Sequence, residues 1–375
     1  MTNSIIPKNT KKINVERMEK DRKTVAVRIK NVFTCTEKVP AKPETVLPLT
    51  EKTGEILSDR GRDGKERPWA KHKGESLRLV ELFELARHDD ESIITDARLQ
   101  GLRDCASFTA WFRDTEQRQK LKTANFCRLR LCPMCNWRRS LKLFGQVSRI
   151  ADRILDDVPS TRFIFITLTV RNCEAAELSE VLNSINKGFQ LLTQKKQTFA
   201  PAAKLKANLA GYLKAVEITY NAKKNTYHPH LHCIFAVKQG YFTGAGYIKK
   251  SDYQGLWRQA LKLDYEPIVH VENIKNGTSK AVAEVAKYPT KTADLLSIED
   301  KEQAAKSVAL LHRTLKGRRL ITFGGVFAQA KKDLKLEDVD SDNVDLLHVD
   351  GDDEKINPVE VVLYRYNARY GFYIC

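Results

Sequence analysis

The run His228-Pro229-His230-Leu231-His232, followed by Cys233-Ile234-Phe235-Ala236-Val237, constrains this chain more than any other stretch. An apolar run of that length reads as a strand, and a strand sends alternate side chains to one face. His230 and His232 then point the same way from neighbouring pleats, with Leu231 turned into the core. That makes a two-imidazole metal site. A bare His-x-His would equally suit a surface loop, so the rest of the chain has to decide.

At 375 residues the chain can bury one large core or two modest ones. Its 64 Lys and Arg against 47 Asp and Glu leave a formal net charge of +17. Such an excess calls for a polyanionic partner, nucleic acid or an anionic surface. The longest apolar run, about Phe163 to Val170, falls far short of the roughly 20 residues that span a bilayer, so no membrane partner is expected. The start, Met1 to Lys8, lacks the apolar core of a signal peptide, which points to a cytoplasmic, reducing location.

Composition and periodicity divide the chain into five parts. Residues 1–66 are rich in Lys, Arg, Thr, Pro and Glu and read as a disordered basic arm. Residues 67–157 read as a helical module with a Cys-rich site, the last helix carrying Leu143, Val147, Ile150 and Ile154 on one side. Residues 158–330 interleave strands (163–170, 212–220, 227–237, 268–273) with helices (178–192, 252–263, 279–288, 299–315), and 195–209 reads as a polar loop. Residues 331–358 read as an acidic, solvated linker, and 359–375 as a C-terminal β-hairpin. The expected fold class is α+β, a central, largely antiparallel sheet flanked by helices, with a helical Cys-rich N-terminal module.

Of the eight cysteines, Cys127, Cys132 and Cys135 fall within nine residues. Zinc takes four ligands in a tetrahedron, and a Cys-x-x-Cys loop offers two thiolates at little entropic cost. Cys105 is the expected fourth ligand. Arg128, Arg130, Arg138, Arg139 and Lys142 surround the cluster, so a structural Zn²⁺ that holds a basic face against DNA phosphates is expected. Reduced structural cysteines or a redox dithiol are the other readings of the same spacing.

Two histidines need a third ligand. With the turn at 221–226, Tyr220 faces Tyr227, and counting back along the hairpin sets Glu217 opposite His230 on the same face. A slip of one residue would turn Glu217 away, leaving His228 as the alternative ligand. Imidazoles with a carboxylate suit a catalytic Mg²⁺ or Mn²⁺ that polarises a phosphoryl oxygen. The expected helix 279–288 supplies a nucleophile: Glu284 and Tyr288 are four apart, hence on one face, and Lys291 follows as a cation to lower the phenol's pKa.

Three segments together, Phe163 to Thr169, His228 to His232, and Glu284 to Lys291, resemble the three motifs of the HUH endonucleases. More closely, they are similar to the single-tyrosine initiators of plasmid rolling-circle replication. The resemblance covers roughly residues 100–330, including the Cys-rich segment ending in Cys132-Pro133-Met134-Cys135. Conjugative relaxases place the tyrosine ahead of the histidines, whereas Tyr288 follows them; Glu284 and Thr292, four residues to either side of it, exclude a two-tyrosine pattern.

The resemblance implies a metal-dependent enzyme, a DNA endonuclease and strand transferase, that nicks and rejoins single-stranded or hairpin DNA at a plasmid origin through a 5′-phosphotyrosyl bond. It implies that Glu284 activates water for the terminating cleavage, and that host helicase, polymerase and single-strand-binding protein are partners. A transposase or mobilisation relaxase using the same chemistry is one alternative. A zinc-dependent, non-enzymatic DNA-binding repressor is another.

Overall fold

The computed structural model describes residues 49–50, 54–61, 64–193, 200–242, 246–274, 282, 285–286, 292–349 and 356–375. In chain order come β1 (Leu49–Thr50), α1 (Trp69–Asp89), α2 (Asp96–Asp104), β2 (Phe108–Arg113), β3 (Gln119–Ala124) and α3 (Pro133–Asp157). Then follow β4 (Arg162–Thr169), α4 (Leu178–Thr193), α5 (Ala200–Asn208), β5 (Leu209–Asn221), β6 (Thr226–Val237), α6 (Lys250–Leu261) and β7 (Val269–Asn273). The last are α7 (Thr292–Leu296), α8 (Lys301–Leu315), β8 (Ile321–Gly325), α9 (Val326–Asp333), β9 (Glu360–Asn367) and β10 (Phe372–Ile374). The fold is α+β, with largely antiparallel sheets flanked by helices.

One sheet has the order β7-β4-β6-β5-β8 and is antiparallel throughout. Its two faces follow from the period of two along each strand. Tyr212 and Phe235 face helix α4, where Phe189 meets their rings at 4.9 and 6.2 Å between centroids. Each such buried aromatic contributes about 1.5–3 kcal/mol. Trp257 of α6 packs on the same layer and donates its Nε1–H to the carbonyl of Thr169 at 2.8 Å. On the opposite face, Phe163 meets Phe327 of α9 at 5.9 Å, which covers the end of the sheet remote from the histidines.

The other sheet has the order β1-β9-β2-β3, with β10 on β9. Here the structure differs from the helical module expected for 67–157, because the β2–β3 hairpin lies within it. The six-residue strands carry a weak alternation of their own, and β2 is completed by β9, which pairs Thr109 with Tyr364 and Trp111 with Val362 from the other end of the chain. Arg113, fully buried, donates to Tyr364 Oη at 2.6 Å and pairs with Glu55 and Glu360.

Glu55 belongs to a described part of the expected disordered arm. There Gly54 and Leu57 donate to the carbonyls of Cys375 and Tyr373 at 3.0 and 3.1 Å. Residues 54–57 therefore lie along β10, because an otherwise open strand edge offers them partners. The polar stretch 195–209 also differs from expectation, with α5 forming over Ala200–Asn208 and burying Ala202 and Leu205.

The acidic stretch differs most from its reading as a solvated linker. Val339, Val344, Leu346 and Val349 are buried, and the backbone from 339 to 347 lies against α3. Its apolar residues at irregular spacing supply the anchors, and its carbonyls accept from the α3 arginines.

Candidate functional site

The β5–β6 hairpin sets Glu217 opposite His230 and Ala215 opposite His232, while β4 sets Thr169 and Thr167 against the same two histidines. The three ligand atoms converge. Glu217 Oε2 lies 2.8 Å from His232 Nε2 and 3.4 Å from His230 Nε2, and the two Nε2 atoms are 3.1 Å apart. Ligands at right angles about an ion roughly 2.1 Å away stand about 3.0 Å from one another. The spacing thus fits three adjacent positions around one divalent ion, with further positions left for oxygen ligands.

The His230 ring is held so that its Nε2 carries the lone pair, and His232 Nδ1 has a hydroxyl partner. His230 donates its Nδ1–H to the carbonyl of His228 at 3.1 Å, and Thr167 Oγ1 stands 3.2 Å from His232 Nδ1 as its partner. A metal-ligating histidine has its other nitrogen engaged in this way, which fixes ring and tautomer together. The ring of Phe165 stacks on His232 at 5.5 Å and closes one side of the site. His228 shares the face but lies outside the cluster of converging ligands. Its Nδ1 meets Asn172 Oδ1 at 2.9 Å, and burial together with the neighbouring His230 lowers its pKa.

The four cysteines Cys105, Cys127, Cys132 and Cys135 form a second cluster. Sulfur separations are 3.6 Å for Cys105–Cys135 and Cys105–Cys132, and 3.7 Å for Cys127–Cys135. A disulfide requires about 2.05 Å. Four sulfurs about 2.3 Å from a central zinc are about 3.8 Å apart, so the set has the size of a tetrahedral site.

Cys105 ends α2, Cys127 and Cys132 lie in the loop after β3, and Cys135 sits in the first turn of α3, behind Pro133 at N1. Backbone N–H groups of Cys127 and Arg128 point at Cys105 and Cys135 sulfurs at 3.4 and 3.2 Å. Arg128 adopts φ +58° to do so. Burial pushes the Cys105 and Cys127 thiols up; for Cys132 it is outweighed by hydrogen bonds from Cys105, Cys127, Cys135 and Ser76, which hold that thiol well down.

Two residues of α1, distant from the cluster in sequence, complete its surroundings. Ser76 Oγ lies 3.4 Å from Cys132 Sγ, and buried Lys73 donates to the carbonyls of Arg103 and Cys105 at 2.7 and 2.8 Å. Sequence reasoning missed both, as it missed Thr167 and Asn172. For Thr167 a signal existed in the alternation of Ile166-Thr167-Leu168-Thr169; for Lys73 and Ser76 none did.

Of the basic residues expected to face DNA, the structure corrects Arg138 and Arg139, while Arg128 stays exposed. Arg138 and Arg139 are 0% exposed. Arg138 donates to the carbonyls of Leu346 and Leu347 at 2.9 and 2.8 Å, and Arg139 to those of Val339 and Arg128 at 3.2 and 3.1 Å. Arg128 and Arg130 reach the carbonyls of Val344 and Arg318, and Lys142 that of Asp345 at 2.7 Å. A guanidinium brings five donors, and these satisfy carbonyls of a turn-rich segment that lies outside both sheets. The cluster thus anchors residues 339–347.

Of the remaining expected residues, Tyr288, Glu284 and Lys291 lie outside the described residues. Around them Val282, Val285 and Ala286 are helical and buried, and Thr292 Oγ1 donates to the carbonyl of Leu131 at 2.9 Å, tying α7 to the cysteine loop. Among the described residues no helix is long and apolar enough to cross a membrane.

Known proteins match this arrangement over most of its length. A family model described as "Replication protein", Rep_1, matches residues 118–373. The chain is 34% identical over 323 residues to a "Protein rep" of Streptococcus pneumoniae serotype 2, covering 85% of this chain and 95% of that one. It is 38% identical over 325 residues to a "Protein rep" of Lactiplantibacillus plantarum, with 84% and 96% covered. A "Protein rep" of Lentilactobacillus hilgardii is 36% identical over 328 residues, with 84% and 98% covered. No solved structure matches the chain. With two histidines and a carboxylate converging on the sheet and relatives matched almost end to end, the chain belongs to the Rep_1 replication-protein family, the HUH-type initiators of plasmid rolling-circle replication.

Proposed function

We propose that the protein starts rolling-circle replication of a plasmid by nicking one strand of its origin and later rejoining it. The observation that carries this reading is the convergence of Glu217 Oε2 and the Nε2 atoms of His230 and His232 on one point of the sheet. Mg²⁺ or Mn²⁺ bound there supplies Lewis-acid polarisation of a non-bridging phosphoryl oxygen.

The protein's residues do the rest. Glu217, His230 and His232 would hold the ion at the point where the scissile phosphate sits, while Phe165 keeps water from one side of the site. Tyr288 attacks phosphorus in line: its oxygen–phosphorus bond forms, the bond to the 3′ oxygen breaks, and that oxygen leaves to take up a proton. The products are a 5′-phosphotyrosyl bond and a 3′-hydroxyl that primes a host polymerase. Lys291 offsets charge on the phenol oxygen, and Glu284 takes a proton from the water of the terminating cleavage.

The cysteine cluster holds structural Zn²⁺ in this reading, and the arm, Cys-rich module and catalytic sheet act on one origin, presented as a single strand or hairpin. Host helicase and single-strand-binding protein would act on the displaced strand, in the cytoplasm.

The test is a covalent one. Wild-type protein with Mn²⁺ and a single-stranded origin oligonucleotide should form an adduct stable to denaturing electrophoresis, and Tyr288→Phe should form none. An adduct in the variant would remove Tyr288 from its role, and the absence of nicking in the wild type would remove the reading.

A further inference from the structure

Thr169 pairs with His230, and Cys173 bridges to Tyr227. Between these points the three residues 170–172 face only the two residues 228 and 229. The surplus residue makes a bulge, and a bulge re-aims side chains. Asn172 goes toward β6, where its Nδ2 donates to Thr226 Oγ1 at 2.9 Å and its Oδ1 accepts from His228 Nδ1 at 2.9 Å. Arg171 goes the other way, toward the segment that enters β7. Its guanidinium lies 3.8 Å from the ring centroid of Tyr265, and its backbone N–H donates to the hydroxyl of that same tyrosine at 3.0 Å.

Both the backbone and the side chain of Arg171 are thus set by one residue. Arg171 is exposed, and among the described residues no carboxylate lies within ion-pair reach of it. Other arginines differ: Arg258 of α6 pairs with Glu266 at 2.7 Å, and Arg138 and Arg139 of α3 are committed to carbonyls. A guanidinium stacked on a ring has little rotamer freedom left to lose and keeps its fork of donors at the edge, a geometry that matches two phosphate oxygens. Ile268, 73% exposed, follows Tyr265 by three residues, its carbonyl accepting from Thr169 Oγ1 at 2.8 Å. The segment that holds the fork thus also offers an exposed apolar side chain.

We propose that Arg171, positioned by Tyr265, grips a phosphate of the single strand flanking the scissile one at the Glu217, His230 and His232 site. Arg171 is two residues beyond Thr169, roughly 7 Å along an extended strand. The inference rests on the nicking reading and adds a binding residue to it; Tyr265 is a positioning residue.

The test is fluorescence anisotropy of a labelled single-stranded oligonucleotide spanning the nick site, without added divalent ion, over a series of KCl concentrations. Each phosphate contact contributes about 0.7 to the slope of log affinity against log salt for a single strand. Arg171→Gln should weaken binding roughly tenfold near physiological salt and lower the slope by about 0.7. Arg171→Lys should keep the slope and lose part of the affinity, and Tyr265→Leu should weaken binding with Arg171 still present.

Wild-type affinity and slope in a folded Arg171→Gln would overturn the proposal. Should that variant fail to fold, Arg171→Lys decides: affinity equal to wild type would remove the need for a stacked fork, and lost affinity with an unchanged slope would support it. A wild type that nicks while Arg171→Gln binds unchanged sinks only this inference, whereas a wild type that neither binds nor nicks sinks the nicking reading itself.

Discussion

Glu217 stands directly opposite His230 across the β5–β6 hairpin, and its carboxylate reaches past that partner to lie 2.8 Å from His232 Nε2. A diagonal reach of this kind joins both imidazoles to one oxygen, so the carboxylate should be worth more to a bound ion than to the apo fold. Glu217→Ala should lower Mn²⁺ affinity by at least tenfold by calorimetry and cut nicking in parallel. Unchanged Mn²⁺ affinity would take Glu217 out of the ligand set.

The four sulfurs, brought together from the end of α2, the loop after β3 and the start of α3, already stand at tetrahedral spacing. Cys132→Ser should therefore cost the protein its zinc, about one equivalent per chain by elemental analysis, and with it several kcal/mol of folding stability. A variant that melts like wild type and keeps its metal would show that the cluster is merely packed thiols.

Arg138 is buried against the carbonyls of Leu346 and Leu347. Arg138→Ala leaves both without their donor and opens a cavity, at a cost of about 2–4 kcal/mol in denaturant titration. The salt dependence of DNA binding should be the same as in wild type. A shallower salt slope with unchanged stability would restore the DNA-facing role.

Burial, with Arg98, Lys316 and Arg313 nearby, pushes the pKa of His312 down to about 4. Because the unfolded chain takes up the proton first, near pH 6.5, stability from this group is present above that pH and is lost as pH falls from there toward 4. Between pH 7 and 5 the loss should be roughly 1–2 kcal/mol. His312→Gln should flatten that stretch of the stability–pH curve; an unchanged slope would assign it to other groups.

The candidate metal site was legible to an unusual degree because its parts are local. His230 and His232 share one strand, and Glu217 is thirteen residues before His230 on a hairpin whose turn, 221–226, can be read from Asn221, Lys223, Lys224 and Asn225. A short turn between two alternating strands leaves little freedom in register, and Glu217↔His230 is the pairing observed. Thr167 and Asn172 were not legible as partners of His232 and His228. They arrive from β4 and the bulge after it, 65 and 56 residues away, and no local pattern specifies that pairing.

Elsewhere, local pattern settled the elements and long-range pairing settled their use. The amphipathic spacing of Leu143, Val147, Ile150 and Ile154 was enough to determine α3, and the β-branched run 163–170 was enough for β4. Charge, by contrast, misled. Arg138 and Arg139 read as facing DNA and the acidic stretch 331–358 as solvated, because a charged side chain alone in sequence gives no sign of a partner. Only the tertiary structure brings the backbone of 339–347 against Arg138 and Arg139, and only it closes β2 with a strand from the chain's end. Both are contacts between segments about 200 residues or more apart, where the free energy comes from desolvated donors meeting acceptors that no periodicity records.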